Sequence, residues 1–407
     1  MRLKTYLAIP VILCLLALVQ LGSGALATEA AAAEAAVAEN SSTRIYDLSF
    51  LPEDIEEEWL DLQNRVDCSY FQSWGWIRTW LEKIAIDYHP LVARVWFEDT
   101  LVGMGIFVHK RIIRRLIIHS EALFLNECPF DGRNMVVEYN GLLADPSHQL
   151  AVYSKTIAHL FQTHLNYDEL FFSALRSTSP LIHVAGQNKG VTLKTLEESS
   201  AWSVDLDGFK QGVDAYLATL SKNRRAQIRR SFRLYEEQGP LQIDEASNSK
   251  IAQVFFDGLK ELHTARWESK GLPGSFANPL WEAFNRTLIH SRFAKGEVQL
   301  LRVSNSRGAI GYLYNYIWRK HVYVLQAGFK LSEDKQLMPG YIAHVLAIAH
   351  NKQQGKKVYD LMQGYSTYKE ILCNRKQTLH WVVVQRRLLK FSLEDIAVSL
   401  VRQYRRL

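Results

Sequence analysis

The sequence predicts an α/β (α+β) protein of two modules, each built on a mixed, mostly antiparallel sheet covered by helices. Its 407 residues are enough for two ordinary domains with full hydrophobic cores. Apolar residues make up 48% of the chain and charged residues 22%, which is a globular composition. Strand-like apolar runs alternate with helical ones along most of the chain, as is typical of sheets covered by helices.

The first 43 residues differ from the rest of the sequence. Two basic residues precede an apolar run over 6–21, and Ala25-Leu26-Ala27 follows it as an A-x-A cleavage pattern. Residues 1–27 are therefore either a secretory signal or an extension that precedes the true translation start. Residues 28–43 are rich in Ala and Glu without an apolar face, which predicts a linker.

Residues 44–208 predict the first module. A helix-like segment with four Trp comes first. Two strands joined by a turn at Glu98-Asp99 follow, and then a second helix and a short buried strand. The predicted bounds are 55–81 for the first helix, 90–95 and 101–108 for the paired strands, 151–165 for the second helix and 169–174 for the last strand.

Residues 209–390 predict the second module, and residues 391–407 a basic C-terminal helix. In this module helices come first, then three strands separated by short polar turns as in an antiparallel meander, then a helix and a strand. This order describes one half of a mixed sheet covered by helices. The helices are predicted over 213–220, 222–237, 251–269, 279–293 and 341–354, and the strands over 298–303, 309–318, 321–327 and 358–362.

Basic residues are clustered rather than spread evenly. The formal net charge is only +6, which does not by itself indicate a nucleic-acid partner. The helix predicted over 222–237 packs Ile228 and Tyr235 inward. It leaves Arg225 and Arg229 outside, and such a cationic face suits the phosphates of a small ligand, an anionic carrier domain or a membrane surface. It is equally typical of a solvated helix.

Cysteine usage argues against metal knuckles and disulfides. None of the four Cys residues forms a C-x-x-C pair. This favours a reducing compartment and predicts no metal. The sequence also lacks a Walker loop, a G-x-S-x-G elbow, an H-E-x-x-H helix and a G-x-G-x-x-G turn, which argues against NTPases, serine esterases and zinc peptidases.

A strand-to-helix loop near residue 338 has the composition of an anion site. Pro339 suits the first helical turn, where its missing N–H is not needed, and Gly340 allows a ligand close to the backbone. The free N–H groups and positive dipole end of this helix suit a pyrophosphate, although Pro-Gly is also common in ordinary loops. The residues expected to shape this site are Gln326, Gly328, Phe329, Met338, Pro339, Gly340 and Tyr341.

Two further segments carry candidates for chemistry. His263 and Arg266 are three residues apart, so they share a helix face that leads to the Gly-Leu-Pro-Gly loop at 271–274. Such a face supplies a base near neutral pH and an anion clamp, but a helical His is often structural. A short strand also delivers Asp360 beside a Gly-containing turn and Tyr368, which is how the edge of a site is often built.

Several short sequence motifs occur in a distinctive order. They are Phe71-Gln72-Ser73-Trp74 with Trp76-Ile77 and Trp80, Leu125-Asn126-Glu127, Glu138-Tyr139-Asn140-Gly141, Leu220-Ser221-Lys222-Asn223-Arg224 with Ile228-Arg229-Arg230, Leu262-His263 with Arg266-Trp267, Gly311-Tyr312-Leu313-Tyr314, Gln326-Ala327-Gly328-Phe329, Pro339-Gly340 with His344, and Tyr359-Asp360-Leu361-Met362 with Gly364 and Tyr368-Lys369. In order and spacing the sequence resembles the CelD/BcsL-type acetyltransferases, relatives of the Fem-type peptidyltransferases in the GNAT superfamily. The resemblance covers about residues 45–390.

The resemblance implies two GNAT-like modules and acyl transfer from acetyl-CoA or another acyl-CoA to an amine or hydroxyl, often in polysaccharide or envelope-polymer pathways. It places the donor pyrophosphate at residues 338–341, where the sequence departs from the usual Q/R-x-x-G-x-G/A signature. In this chemistry His263 is the expected base, and Tyr368 is the acid for the leaving thiolate, with Asp360 beside it. The expected acceptor and substrate contacts are Arg266, Trp267, Arg225, Arg229 and Lys369.

The acceptor is expected to be a small molecule or a saccharide, and an acyl carrier or polymer-synthesis machinery are further candidate partners. Two alternatives stay open. One is a Fem-type transferase that uses aminoacyl-tRNA, which is the one case that involves nucleic acid. The other is a non-catalytic accessory protein of extracellular-polymer synthesis. Because acyl-CoA is expected in the cytoplasm, the predicted location is cytoplasmic, with export as the alternative that the N-terminal segment suggests.

Overall fold

The computed structural model describes residues 43–47, 54–115, 118–162, 167–188 and 190–404. The predicted signal segment, residues 1–27, lies outside the described residues, and so do residues 28–42 of the predicted linker. The last three residues of the predicted basic C-terminal helix also lie outside them.

One mixed sheet of thirteen strands runs through the described part of the chain. The strands are β1 (Thr43–Asp47), β2 (Leu91–Phe97), β3 (Thr100–Arg114), β4 (Ile118–Leu125), β5 (Leu143–Ala144), β6 (Glu169–Arg176), β7 (Val191–Asp205), β8 (Gln242–Glu245), β9 (Val298–Asn305), β10 (Gly308–Trp318), β11 (His321–Phe329), β12 (Val358–Gln363) and β13 (Arg375–Arg386). Their order is β1-β2-β3-β4-β6-β13-β7-β12-β11-β10-β9-β8, with β5 paired to β3. The pairs β4–β6 and β11–β12 are parallel and the other described pairs are antiparallel, so the predicted fold class is confirmed.

Helices cover both faces of this sheet. They are α1 (Ile55–Arg65), α2 (Trp74–Trp80), α3 (Gln149–Gln162), α4 (Pro180–Gln187), α5 (Val213–Ala218), α6 (Lys222–Glu236), α7 (Ser249–Glu268), α8 (Pro279–Arg292), α9 (Pro339–Gln353), α10 (Thr367–Leu372) and α11 (Leu389–Tyr404). The predicted positions agree with α3 and with α5 to α9 within a few residues at each end, because these helices carry a clear apolar periodicity.

The helix predicted over 55–81 is wrong as a continuous element. A turn separates α1 from α2. In that turn the Gln72 side chain accepts the Ser69 N–H at 3.1 Å and donates to the Gly141 carbonyl at 3.0 Å. The buried amide thus ties the chain to a distant loop at a point where the apolar pattern alone would continue the helix.

The Trp residues of this segment are core residues. Trp76 is fully buried and stacks on Trp80 with ring centroids 6.1 Å apart. It also packs edge-on against Phe284 of α8, at 5.7 Å. Because α8 comes from the second half of the chain, this aromatic cluster packs the first half against the second, and large rings contribute much of the apolar area that such a contact buries.

The two halves of the sheet repeat one layout. In the first half, the meander β2–β3–β4 is followed by α3 and then by β6, which is parallel to β4. In the second half, β9–β10–β11 is followed by α9 and then by β12, which is parallel to β11. Strand β13 lies between β6 and β7, so the end of the chain returns to the first half. The module boundary predicted at 208/209 stays a prediction.

Gly328 marks a close contact between β11 and α7. A Cβ atom at this position would lie 2.5 Å from the carbonyl oxygen of Leu259 in α7. Because helix backbone cannot move aside as a flexible side chain can, we predict that Gly328→Ala lowers the free energy of unfolding by about 1–3 kcal/mol. Urea denaturation followed by circular dichroism measures this change.

Gly186→Ala is the matched control. Gly186 lies in α4, and a Cβ atom there would meet nothing within 4 Å. Since Ala has the higher helix propensity, this substitution is expected to leave stability unchanged or raise it slightly. A Gly328→Ala protein as stable as the wild type would show that α7 does not press on β11.

Candidate active site

A gap opens between β11 and β12 after a short parallel contact. The two strands are paired at three registers, the last of which joins Tyr323 to Asp360. Strand β11 then continues to Phe329 and β12 to Gln363, with no further pairing between the two in the described residues. Backbone N–H and C=O groups along the two separated edges suit an extended ligand.

Helix α9 begins beside this gap, at the Pro339 that the sequence predicts as its first residue. The Met338 N–H donates to the Ser231 hydroxyl of α6 at 3.0 Å, which fixes the start of α9 against α6. Among the described residues, no acceptor takes the N–H groups of Gly340 and Tyr341. They are available to an anion, which the helix dipole also favours at this end.

Helix α6 supplies positive charge next to the start of α9. Burial raises the pKa of Tyr341, and the positive charge of Arg224 opposes that rise, so Arg224 lies near the first turn of α9. For Arg225 and Arg229, the cations of α6 predicted from the sequence, the structure shows no contact with the start of α9 among the described residues. Arg225 is half-buried and donates to the Ala218 carbonyl at 3.3 Å, and Arg229 is exposed.

The α9 side of the gap is aromatic. The Phe329 ring lies 5.6 Å from the His344 ring, and His344 stacks on Tyr368 of α10 at 5.4 Å. Burial lowers the pKa of His344 to about 3, and the nearby charge of Lys369 adds to this effect, so His344 is neutral. Its Nδ1 contacts the Tyr359 hydroxyl at 3.0 Å, and the structure shows no partner for its buried Nε2 among the described residues.

The predicted base His263 is buried in α7, and both of its ring nitrogens are hydrogen-bonded to the backbone. Its Nδ1 lies 3.4 Å from the Ala327 carbonyl, and its Nε2 lies 3.3 Å from the Ser275 N–H. Nδ1 therefore donates and Nε2 accepts, which defines one neutral tautomer. Burial lowers the pKa of His263, the Ala327 carbonyl opposes this, and the charge of Arg266 lowers it further.

The charge of Arg266 affects both predicted catalytic side chains. Its charge acts on His263 and also on Tyr368, where burial raises the hydroxyl pKa and Arg266 opposes that rise. His263 and Tyr368 have separate contacts, since the His263 ring packs against Trp267 and Phe276 and the Tyr368 ring packs against His344. Trp267 is half-buried, with its ring 5.8 Å from that of His263 and the Lys270 ammonium 5.2 Å above it.

The predicted donor residues do not all line one surface. Gln326 donates to the Ser275 hydroxyl at 2.9 Å, and Gly328 contacts α7, so both face the α7 side of the sheet. Phe329 faces α9, where a Cβ atom on Gly340 would lie 3.2 Å from its ring. Residues of the α9 start and residues of β11 thus border the gap from opposite faces of the sheet.

Asp360 lies at the closed end of the gap, fully buried. Its Oδ2 accepts the hydroxyl of Tyr139 at 2.6 Å and contacts Nε2 of His321 at 3.0 Å. Its Oδ1 accepts the Met362 N–H at 2.7 Å. Through these contacts Asp360 holds a loop of the first half against the site in the second half. Its hydrogen bonds suit a positioning role better than proton transfer.

Glu138 belongs to the same loop and is also buried. Its Oε2 accepts the Gln363 N–H at 2.9 Å. Burial raises the pKa of Glu138 to about 8, and Asp360 adds to the rise while Gln363 and Lys369 oppose it. Lys369 in turn donates to the carbonyls of Gln363 and Met362, at 2.5 and 3.3 Å.

Four residues around the gap were missing from the sequence-based site: Glu138, Tyr139, His321 and His344. For Glu138, Tyr139 and His344 a signal existed, since they belong to the motifs that carry the family resemblance. The hydrogen bond from Tyr139 to Asp360 spans 221 residues, so nothing local in the sequence reveals that the loop reaches the gap.

Residues 222–370, which hold the gap and the start of α9, match the family model described as an acetyltransferase (GNAT) domain. This part of the chain is therefore similar to GNAT domains. No curated protein matches the chain. The finer resemblance to CelD/BcsL-type acetyltransferases stays a prediction.

Solved structures resemble the chain over most of its length. FemX superimposes with a TM-score of 0.55 at 10% identity, over 84% of this chain and 97% of that one. A conserved protein of unknown function from Bacteroides thetaiotaomicron gives 0.52 at 10% identity, over 84% and 100%. The L-PGS from Bacillus licheniformis gives 0.50 at 11% identity, over 87% and 98%. At such identities the likeness concerns the fold alone.

The described part of the chain contains neither a membrane-spanning helix nor a metal-binding cluster of side chains. None of its helices is both long and apolar enough to cross a membrane. None of its His, Cys, Asp and Glu side chains form a group of three or more that could hold a metal ion.

The packing of His263 predicts a structural effect. His263→Ala removes two hydrogen bonds and leaves space beside Phe276, whose ring lies 5.3 Å away, so we expect a loss of about 1–3 kcal/mol in the free energy of unfolding. Arg266→Ala, an exposed position on the same helix, is the control and should change stability by less than about 0.5 kcal/mol. A fully stable His263→Ala protein with turnover reduced about 10²–10⁴-fold would instead support the base role.

Proposed function

We propose that the second half of the chain transfers an acyl group from acetyl-CoA or another acyl-CoA to an amine or hydroxyl. The observation that carries this proposal is the gap between β11 and β12, which opens beside the N-terminus of α9. An acyl-CoA needs an anion site for its diphosphate and a narrow channel for its extended arm, and this arrangement offers both. The GNAT match over 222–370 supports the same class of reaction.

The side chains around the gap suit direct transfer between bound partners. The diphosphate would meet the N–H groups of Gly340 and Tyr341, with Arg224 nearby. Tyr368 is protonated at neutral pH, as tyrosines ordinarily are, and its hydroxyl can therefore pass a proton to a leaving thiolate. Burial raises the pKa of this hydroxyl, and the charge of Arg266 opposes that rise. Holding donor and acceptor side by side supplies much of the rate enhancement in such reactions.

The acceptor we propose is a saccharide or another small molecule of a polysaccharide or envelope-polymer pathway, which is what the family resemblance implies. Arg266 and Trp267 follow His263 on α7, and they would offer a cation and an aromatic face to such an acceptor. An acyl carrier or polymer-synthesis machinery would meet the basic surface of α6. No metal takes part in this scheme.

The donor site is tested by placing a negative charge at the helix start. We predict that Gly340→Asp weakens acetyl-CoA binding by at least about 100-fold, because like charges brought together cost several kcal/mol. Isothermal titration calorimetry measures the affinity. Gly340→Ala is the control: its Cβ atom reaches only the edge of Phe329 and adds no charge, so binding should stay close to that of the wild type.

A second function is favoured by the basic helix α6, whose exposed cations include Arg229, Arg230 and Arg233. Such a surface suits the backbone of an aminoacyl-tRNA, the donor of a Fem-type transferase. If the wild type ignores acetyl-CoA but binds aminoacyl-tRNA with an affinity that falls steeply with salt, the second function replaces the first. Binding of neither donor would leave the non-catalytic accessory role.

We also propose that the working protein is cytoplasmic, because an acyl-CoA donor is available there. The native protein is then expected to begin near Arg44, or to keep its N-terminal segment uncleaved. N-terminal sequencing of the native protein and cell fractionation measure this. An exported form that begins at Thr28 would contradict both the location and a soluble acyl-CoA donor.

A further inference from the structure

The first half of the chain contains a gap of the same kind as the one between β11 and β12. Strands β4 and β6 are parallel and are paired at three registers, the last of which joins Phe124 to Phe171. Beyond that point they separate. In this half, however, the gap is filled by the chain itself.

The filling segment is 138–141. Asn140 forms an isolated parallel bridge with Leu175 of β6. Its side chain donates to the Leu125 carbonyl of β4 at 2.9 Å and accepts from Asn126 at 3.0 Å. Asn140 thus joins both separated strands, and the first gap has no room for an extended ligand along these edges.

The same segment continues into the gap of the second half. Tyr139 adopts a left-handed backbone conformation with φ of +54°, and its hydroxyl reaches Asp360. Glu138 lies one residue earlier and contacts Gln363. One loop therefore closes the first gap and delivers two side chains to the second.

The Glu138 carboxylate lies on the β11 side of β12. The Gly364 N–H donates to the Ser200 carbonyl of β7, on the far side of β12 from β11. Successive N–H groups of an extended strand point to opposite sides, so the Gln363 N–H points toward β11. Its acceptor is Glu138, which places this carboxylate at the β12 edge of the gap, beside the space proposed for the donor.

We propose that Glu138, supplied by the first half of the chain, is the general base for acyl transfer in the second half; this inference rests on the proposed function. The acceptor N–H or O–H proton passes to the Glu138 carboxylate as the N–C or O–C bond forms. The C–S bond of the thioester breaks, and the thiolate takes its proton from Tyr368. Glu138 then returns its proton to solvent, and the Tyr368 phenolate takes a proton from solvent, which restores both groups for the next turnover.

The surroundings of Glu138 set the pH at which it can act. Asp360 on β12 raises its pKa, Lys369 on α10 lowers it, Tyr139 adjoins it, and His321 on β11 contacts Asp360. With a pKa of about 8, the carboxylate fraction increases as the pH rises toward that value. Turnover is therefore expected to rise with pH and level off above about 8.

The test compares Glu138→Gln with Glu127→Gln. Glutamine keeps the carbonyl oxygen that accepts the Gln363 N–H but cannot take a proton. Glu127 is the matched control, since it is buried near the first gap, is bonded to Ser173 and has a pKa raised to about 7 by burial. Turnover is measured as thiol release from acetyl-CoA, with glucosamine or water as the acceptor, at pH values from about 6 to about 10.

Glu138→Gln is expected to lower turnover about 10²–10⁴-fold and to abolish the rise toward pH 8, with acetyl-CoA affinity unchanged. Glu127→Gln should keep both the turnover and the pH profile of the wild type. Glu138→Asp, which keeps a carboxylate at a shorter reach, should recover part of the activity together with the pH dependence.

Folding is checked in the same samples, and its expected direction follows from the pKa. The pKa of Glu138 is raised in the folded state from 4.5, so its stabilising contribution is fully present below 4.5 and is lost as the pH rises through about 8. Glutamine stays neutral, so Glu138→Gln should be at least as stable as the wild type at alkaline pH. Where the measured stability agrees, a loss of activity at alkaline pH is not caused by unfolding.

The possible failures are distinct. A wild type that does not bind acetyl-CoA in calorimetry contradicts the proposed function itself. A wild type that binds and turns over acetyl-CoA, with a Glu138→Gln variant of equal rate and pH profile, overturns the role of Glu138 alone. Equal losses in Glu138→Gln and Glu127→Gln would also overturn it, since the effect would then be a general one of buried carboxyl groups.

Discussion

The contact between Asp360 and its donors is the constraint on which the rest of the site depends. Asp360 is fully buried, and a buried carboxylate is costly unless its oxygens are hydrogen-bonded. Its donors come from three places: Tyr139 of the first half, the Met362 N–H of its own strand, and His321 of β11. Moving any one of these donors would leave the buried Asp360 carboxylate with one hydrogen bond fewer. The loop position, the bend of β12 and the closed end of the gap are therefore fixed together.

Backbone strain marks the same places. Asn126 and Ala174 lie at the first gap with φ of +51° and +50°, and Tyr139 and Met362 lie at the second with φ of +54° and +61°. Such conformations cost roughly 1–3 kcal/mol for residues other than glycine and persist where the surroundings enforce them. Strands β6 and β12 each also carry a register shift beyond their parallel contact. Both halves thus bend the corresponding strand away from its partner, and this opens the two gaps.

The helices and the meander of the second half could be predicted from the sequence because their apolar periodicity is local. The start of α9 could be predicted for the same reason, since Pro339 and Gly340 act on their own turn. Strands β7 and β13 could not be predicted, because polar residues such as Glu197 and Glu198 interrupt β7, and its pairing with β13 is long-range. The family resemblance pointed to the loop at 138–141, but only the fold shows that Glu138 meets Gln363. Physical contact across more than 200 residues has no local signature.

The repeated layout explains why neither half is sufficient for the site. In the first half the gap is filled by Asn140, whose side chain donates to the Leu125 carbonyl that a ligand would otherwise contact. The same contacts of Asn140 fix the loop, so that Glu138 is held at the second gap. A loop anchored only by exposed contacts could not keep a buried carboxyl in place, because the cost of burial would expel it to water. Closing the first gap is thus the condition for supplying Glu138 to the second, and a second half expressed alone would have an open donor channel but no general base.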